Sequence, residues 1–205
     1  MRTILLTLCL FMGTILSAQN NVLIEIENAN AAYKVITGDF VRTQTNVAKG
    51  TSIKADGTLY IVGEDQMAQY YKAPSTDLLI INGNDFYMIR GKKTNKFNTE
   101  KNKTMRSLRN TLLYCVHGKP MELATENGAE ITAEKKENEY EVVLISTKKT
   151  PRGYAKIVLT YDLKSKLLTK MQMDEYNGNS TLYEMNNLKT NGNIDAKVFD
   201  IPEKK

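Results

Sequence analysis

Residues Gly57–Ile89 read GTLYIVGEDQMAQYYKAPSTDLLIINGNDFYMI, and this stretch decides the fold. Four short segments in it are rich in β-branched, aromatic and long apolar residues, which is typical of strands: Leu59–Val62, Met67–Lys72, Leu78–Ile81 and Phe86–Ile89. The turn residues Gly63-Glu64-Asp65, Pro74-Ser75-Thr76-Asp77 and Asn82-Gly83 separate them. Connections this short join only antiparallel neighbours, so the stretch predicts an antiparallel meander.

The apolar side chains of this meander are unusually long. Met67, Met88, Tyr70, Tyr71 and Tyr87 lie within it. Methionine is flexible and fills irregular space, so these residues suit the wall of a cavity as well as a packed core. Both interpretations stay open at this point.

The chain begins with the features of a secretory signal peptide over residues 1–18. Arg2 is followed by an apolar run from Ile4 to Met12, and small residues Ser17-Ala18 precede Gln19. Cys9 lies inside the apolar run and not at a lipidation position. We therefore expect an exported protein without a lipid anchor, in which residues 19–205 form one domain without a transmembrane segment.

The charge distribution argues against a nucleic-acid-binding protein, and the cysteine content excludes an intramolecular disulfide. The chain has 28 Lys and Arg against 23 Asp and Glu, a net charge of +5 spread along the sequence. A nucleic-acid-binding protein would show a sharper asymmetry. After removal of the signal peptide only Cys115 remains, so an intramolecular disulfide is not possible, and we expect a buried thiol that acts as a small hydrophobe.

Two amphipathic helices are predicted, one before the meander in the sequence and one after it. Residues spaced as on one helical face, Val22, Ile26, Ala29, Tyr33 and Ile36, predict the first, with Gly38 as the residue after its C-cap. Residues Met105, Leu108, Leu112 and Cys115 predict the second, which Gly118 and Pro120 end. We expect Ala29–Ile36 and Met105–Cys115 to pack on the concave side of a strongly curved sheet.

Further strands flank these elements. Asp39–Val47 and Thr51–Val62 precede the meander, and a bulge at Asp56-Gly57 is expected within the second. Five more follow the second helix, with turns at Pro151-Arg152-Gly153 and Asn177-Gly178: Ala129–Lys135, Glu139–Ser146, Gly153–Leu163, Leu167–Tyr176 and Ser180–Lys189. Phe199, shortly before Pro202, is expected to anchor the end of the chain.

The segment Arg90–Arg109 holds eight basic residues and one acid, Glu100. It reads as a basic loop. Such a loop could contact anionic lipid headgroups or an acidic partner, or it could simply be solvated.

No constellation of catalytic residues is visible. The single histidine, His117, stands at the end of the second helix, where its interaction with the helix dipole is the expected role. One histidine and one mature cysteine exclude a His/Cys zinc site, and neither a phosphate-binding glycine loop nor an EF-hand occurs. We expect no enzyme activity, no metal and no cofactor, although a carboxylate pair brought together by folding would escape sequence reasoning.

The order of elements resembles the periplasmic outer-membrane lipoprotein carriers, the LolA family, over nearly all of the mature chain. Asp39-Phe40-Val41-Arg42-Thr43-Gln44 is similar to the family's Phe-x-Gln strand, and Gly57-Thr58-Leu59-Tyr60 to its Gly-x-Leu-aromatic strand. The family's strand-closing proline, paired apolar strands and final Phe and Pro find counterparts in Pro74, Leu79-Ile80-Ile81, Gly83, Phe86-Tyr87-Met88, Phe199 and Pro202. Where the family carries Arg-Pro, with the arginine at the cavity mouth, this chain has Gly63-Glu64.

The resemblance implies a mainly β fold, an unclosed antiparallel β-barrel covered by a helical lid. It also implies a periplasmic, non-enzymatic, monomeric carrier that binds acylated lipoproteins or lipids and works with inner- and outer-membrane transport proteins. Strand parity, the family's inward positions and the second helix then predict a cavity wall of Met67, Tyr71, Leu79, Ile81, Phe86, Met88, Leu108, Leu112, Met171 and Met173. A periplasmic sensor or adaptor with the same fold is the alternative, and a small hydrolase is a third hypothesis.

Overall fold

The computed structural model describes residues 20–75, 77–148 and 153–201. The helices are α1 (residues 20–31), α2 (Lys103–Val116), α3 (Pro120–Asn127) and a short 3₁₀ helix (Ala196–Phe199). The strands are β1 (Val35–Asn46), β2 (Thr51–Val62), β3 (Gln66–Tyr71), β4 (Leu78–Asn82), β5 (Asp85–Arg90), β6 (Lys93–Asn98), β7 (Ala129–Lys135), β8 (Glu139–Ser146), β9 (Tyr154–Asp162), β10 (Leu168–Glu175) and β11 (Ser180–Thr190). The signal peptide, Pro151-Arg152 and Pro202 lie outside the described residues.

All eleven strands belong to one antiparallel sheet. Its order is β6-β5-β4-β3-β2-β1-β11-β10-β9-β8-β7, so β6 and β7 form its two edges. Every neighbouring pair is a simple hairpin except β1 with β11, which joins the N-terminal meander to the C-terminal one. The predicted fold, an unclosed curved antiparallel sheet with helices, is confirmed.

The three α-helices lie on one face of the sheet, called here the inner face. Their apolar side chains form a single cluster with the inward side chains of both meanders. The largest fully buried members include Tyr140, Tyr161, Phe40, Phe86, Ile26, Leu112 and Leu123. Burial of this surface at about 25 cal/mol per Å² of apolar area is the main force that holds helices and sheet together.

The opposite, outer face is covered only where the end of the chain crosses it. Phe199 of the 3₁₀ helix is buried with Ala68, Leu78, Ile80 and Ile89. The Tyr70 hydroxyl donates a hydrogen bond of 2.8 Å to the Val198 carbonyl, which fixes this segment in place. The expected anchoring role of Phe199 is thus confirmed, on the face away from the helices.

The prediction that the first helix continues to Ile36 is wrong. The helix ends at residue 31, and Val35 already begins β1. Ile36 is buried on the inner face opposite Ile61 of β2. The β-branched pair Val35-Ile36 gains more from this cross-strand packing than from one more helical turn, although its spacing continues the helical stripe.

Two glycines have roles other than those expected. Gly38 does not follow a helix but lies in β1 at an irregularity in the pairing with β11, where a Cβ atom would approach Leu188 Cδ2 to 2.7 Å. The pairing of β2 is unbroken at Gly57, so the bulge prediction is wrong there. Gly57 is needed because a Cβ would lie 2.2 Å from the Tyr70 carbonyl oxygen and 2.7 Å from the Phe40 ring.

The segment Arg90–Arg109 is not a loop. It contains β6, Lys93–Asn98, and the first half of α2. Several of its cations are engaged within the fold: Lys96 pairs with Asp85 at 2.7 Å, and Arg109 Nε donates to the Gly83 carbonyl at 2.8 Å. The sequence of β6, KTNKFN, has too few apolar residues to be recognised, as is common for edge strands.

Candidate functional site

Helix α2 lies across the inner face and is fixed at both ends. Asn102 caps its N-terminus by accepting a hydrogen bond of 3.0 Å from the Met105 N–H. The Tyr161 hydroxyl of β9 donates 2.9 Å to the Cys115 carbonyl near its C-terminus. The C-terminal half of α2 buries Leu112, Leu113, Cys115 and Val116, whereas its N-terminal half does not reach the sheet as closely.

A cavity of about 610 Å³ opens beneath the N-terminal half of α2. It lies between this helix, the end of α3 and strands β7 to β10. Apolar walls come from both layers: Met105, Leu108, Ala129, Leu144, Tyr154 and Ile157. Polar residues at the rim include Lys103, Glu126, Asn127, Glu175 and Asn177. An apolar interior with a polar rim suits a ligand that has an apolar part and a polar part.

The ten residues of the predicted cavity wall all belong to the main cluster on the inner face. Eight are buried there: Met67, Tyr71, Leu79, Ile81, Phe86, Leu112, Met171 and Met173. Met88 and Leu108 are partly buried against them. Leu108 alone among the ten lines the open cavity. The other nine are packed against protein atoms, and their contact with a ligand stays a prediction.

The sequence reasoning missed most of the residues that line the cavity. The sequence predicts Met105 as part of the apolar stripe of α2, but it predicts Leu144 and Ile157 only as parts of strands. Both lie on the inward side of β8 and β9, as alternation along these strands would show. Alternation does not show which inward residues are left uncovered by the helices.

Tyr154, the first residue of β9, lines the cavity. Burial raises the pKa of its hydroxyl, and the nearby Tyr183 and Glu175 raise it further. Burial likewise raises the pKa of the Tyr183 hydroxyl. Both hydroxyls are neutral at pH 7 and are available as hydrogen-bonding groups.

The Gly63-Glu64 pair occupies the turn between β2 and β3. Gly63 has a φ of +57°, which favours glycine there. Glu64 accepts a hydrogen bond from Lys119 Nζ at 3.0 Å, which lowers the pKa of this carboxyl. Lys119 lies between α2 and α3, so the ion pair connects this turn of the sheet to the helical layer.

His117 is the C-cap residue of α2, and its backbone N–H donates to the Leu113 carbonyl at 3.0 Å. Burial, with Lys119 nearby, lowers the pKa of the imidazole to about 4. The ring is therefore neutral at pH 7, and the expected interaction of His117 with the helix dipole stays a prediction. Cys115 is fully buried, as expected, and burial raises the pKa of its thiol.

Two features were not found in the described part of the chain. Across residues 20–75, 77–148 and 153–201, no three His, Cys, Asp or Glu side chains are grouped as a metal site would require. Within these same ranges, no helix is both long and apolar enough to cross a membrane.

Solved structures with a similar fold share little sequence with this chain. An uncharacterised conserved protein of Thermus thermophilus has a TM-score of 0.54 at 10% identity, with 91% of this chain and 95% of that chain covered. MucB has a TM-score of 0.53 at 9% identity, with 92% and 64% covered. A LolA superfamily protein of Nitrosomonas europaea has a TM-score of 0.45 at 9% identity, with 90% and 98% covered. No curated protein matches this sequence.

The sequence itself carries a more specific signal. The family model described as "Outer membrane lipoprotein carrier protein LolA" matches residues 31–202. This range includes every strand, α2, α3 and the 3₁₀ helix. This chain, with its open sheet, helical layer and cavity, therefore belongs to the LolA family.

Proposed function

We propose that this protein binds the acyl chains of lipids or lipoproteins in the cavity beneath α2 and carries them through the periplasm towards the outer membrane. In this proposal residues 1–18 direct export and residues 19–205 form the carrier domain. The observation that carries the proposal is the cavity itself, about 610 Å³ with an apolar interior and a polar rim. Its size is within the range of roughly 300–1,000 Å³ that small-molecule sites occupy.

The neighbouring part of the inner face allows the cavity to extend. Met171 and Met173 are buried on β10, next to the β9 wall of the cavity. Methionine side chains change rotamer at little cost, so they can make room for a chain longer than the open cavity accepts. In the loaded protein the predicted wall residues would then contact the ligand.

The energies fit a carrier that must also release its load. A chain of about sixteen carbons gains roughly 12 kcal/mol when fully buried, at about 0.8 kcal/mol per methylene. Association costs of roughly 4–15 kcal/mol reduce this gain. The expected complex is therefore micromolar or weaker. The proposal includes no catalytic step.

A titration of delipidated protein with a fluorescent fatty acid tests the proposal. Saturable binding is expected, and Leu108→Asp should weaken it at least tenfold because a carboxylate would lie in the apolar wall. Met121→Asp is the matched control, since Met121 is 44% exposed on α3 and does not line the cavity. Circular dichroism establishes that both variants are folded. Absence of saturable binding, or equal affinity of the two variants, would overturn the proposal.

A further inference from the structure

Arg42 is a cation on the apolar inner face of the sheet. It follows Phe40 by two residues on β1, and alternation places both side chains on the same face. Its Cζ atom lies 4.5 Å from the centre of the Tyr71 ring, over the ring face. Tyr183, directly opposite Arg42 on β11, is also buried there. The guanidinium thus lies between two tyrosines of the main cluster.

Within the described part of the chain, no acidic side chain neutralises this arginine. The ion pairs formed there do not include Arg42. Its Nε is buried and has no hydrogen-bond partner among the described residues. A buried donor without an acceptor costs about 1–3 kcal/mol, more when the group is charged. The side chain as a whole is only partly buried, so a ligand can reach the remaining N–H groups.

The arginine and the cavity lie on the same inner face and are joined across strands β11 and β10. Burial raises the pKa of the Tyr183 hydroxyl, and the adjacent Arg42 opposes that rise. Tyr183 lies opposite Met171 of β10, and Met171 lies opposite Leu159 of β9. Strand β9 carries the cavity residues Tyr154 and Ile157. Three strand spacings separate β1 from β9, a distance of about 14 Å that an acyl chain can span.

We propose that Arg42 is an anion-binding group for the carboxylate or phosphate of a ligand whose acyl chain occupies the cavity. The planar guanidinium donates paired hydrogen bonds to either anion, and its buried Nε would gain the acceptor that it lacks. This proposal rests on the proposed function and specifies it: the ligand is an anionic amphiphile. The aromatic face of Tyr71 holds the guanidinium in place for the incoming group.

Competition against a fluorescent neutral dye tests the proposal with ligands that share one tail: dodecanoate, dodecyl phosphate and dodecanol. The wild-type protein should bind the two anions at least tenfold more tightly than the alcohol, as a hydrogen bond to a charged group contributes about 1.5–3 kcal/mol. Arg42→Gln should remove this preference and leave the affinity for dodecanol unchanged. Arg42→Lys should keep part of it. Arg90→Gln removes an exposed positive charge elsewhere and should change nothing.

The possible results separate this proposal from the proposed function. Equal affinity of the wild-type protein for dodecanoate and dodecanol overturns the anion site and leaves the cavity intact. Failure of all three ligands to bind overturns the proposed function. Equally tight binding of inorganic phosphate, without help from a tail, would show a free-anion site and overturn the link to the cavity. If Arg42→Gln does not fold, the wild-type preference and its loss at high salt decide.

Discussion

The two halves of α2 cover two different kinds of surface. Leu112, in the C-terminal half, is 1% exposed and belongs to the main cluster of the inner face. Leu108, one turn earlier on the same side of the helix, lines an open cavity of about 610 Å³. Both residues belong to one amphipathic stripe, so apolar character does not distinguish them. The difference is whether side chains from both layers interdigitate to fill the space.

Specific contacts constrain the packed region. Gly57 accommodates the Phe40 ring, the Tyr161 hydroxyl binds the Cys115 carbonyl, and Glu64 pairs with Lys119. Around the cavity, by contrast, residues of the helix and of β8 to β10 face each other across unfilled space. The comparison indicates that side chains fill the space beneath the packed half of α2, whereas space remains beneath the open half.

A substitution on the outer face should change the stability of the protein without changing its affinity for a ligand. Phe199→Ala should lower the free energy of unfolding by about 3–5 kcal/mol, because it removes a buried ring from the outer cluster. Its effect on ligand affinity should be small, since the sheet lies between Phe199 and the cavity. Urea unfolding and fatty-acid titration measure the two quantities. A large loss of affinity in the folded variant would mean that the two faces are coupled.

Truncation of Leu112 and of Leu108 compares the two halves of α2 directly. Leu112→Ala should lower the free energy of unfolding by about 2–5 kcal/mol, because the removed methyl groups leave a void in a filled core. Leu108→Ala should cost less than about 1 kcal/mol, since its side chain already faces open space. Denaturant midpoints at equal slope give both values. Equal losses would contradict the distinction between a packed and an open half.

The same contrast marks the limit of prediction from the sequence. The hairpins of β3 to β5 follow from local features, such as Asn82-Gly83 and alternation, and the inward side of each strand follows from parity. Which inward residues remain uncovered depends on where α2 and α3 dock. That docking is set by contacts between residues far apart in the sequence, such as Tyr161 with Cys115.

Other wrong predictions have different causes. Ile36 continues the helical spacing of α1 but pairs with Ile61 in the sheet, so a long-range contact overrides a local pattern. The edge strand β6 carries lysines in place of an apolar run. Pro120 is predicted only to end α2, but it begins α3, because proline is also favoured in the first turn of a helix.

A fall in pH should lower the free energy of unfolding through His117, the C-cap residue of the packed half of α2. The folded protein keeps this imidazole neutral down to a pKa of about 4, whereas the unfolded chain binds a proton near pH 6.5. Between these values the unfolded state holds more protons, so stability falls as the pH falls, by at most about 3 kcal/mol.

Denaturant unfolding of the wild-type protein and His117→Gln, measured from pH 7 to 4.5, tests this effect. The variant should show a smaller fall in stability over this interval, because His117 is the single histidine of the chain. Parallel curves for the two proteins would assign the acid sensitivity to carboxyl groups instead. Glu64, whose pKa is lowered by Lys119, is one such group.

The smallest expected effect on stability comes from filling the open half. Ala129 at the start of β7 contributes a methyl group to the cavity wall. In Ala129→Leu, three further carbons would enter the open space without displacing packed side chains, so the free energy of unfolding should change by less than about 1 kcal/mol. The affinity for a long acyl chain should fall several-fold, and that for a shorter chain should fall less, because the remaining volume still accepts it. Titrations with fatty acids of eight and sixteen carbons measure the difference. Unchanged affinity for both lengths in the folded variant would place the acyl chain elsewhere on the inner face.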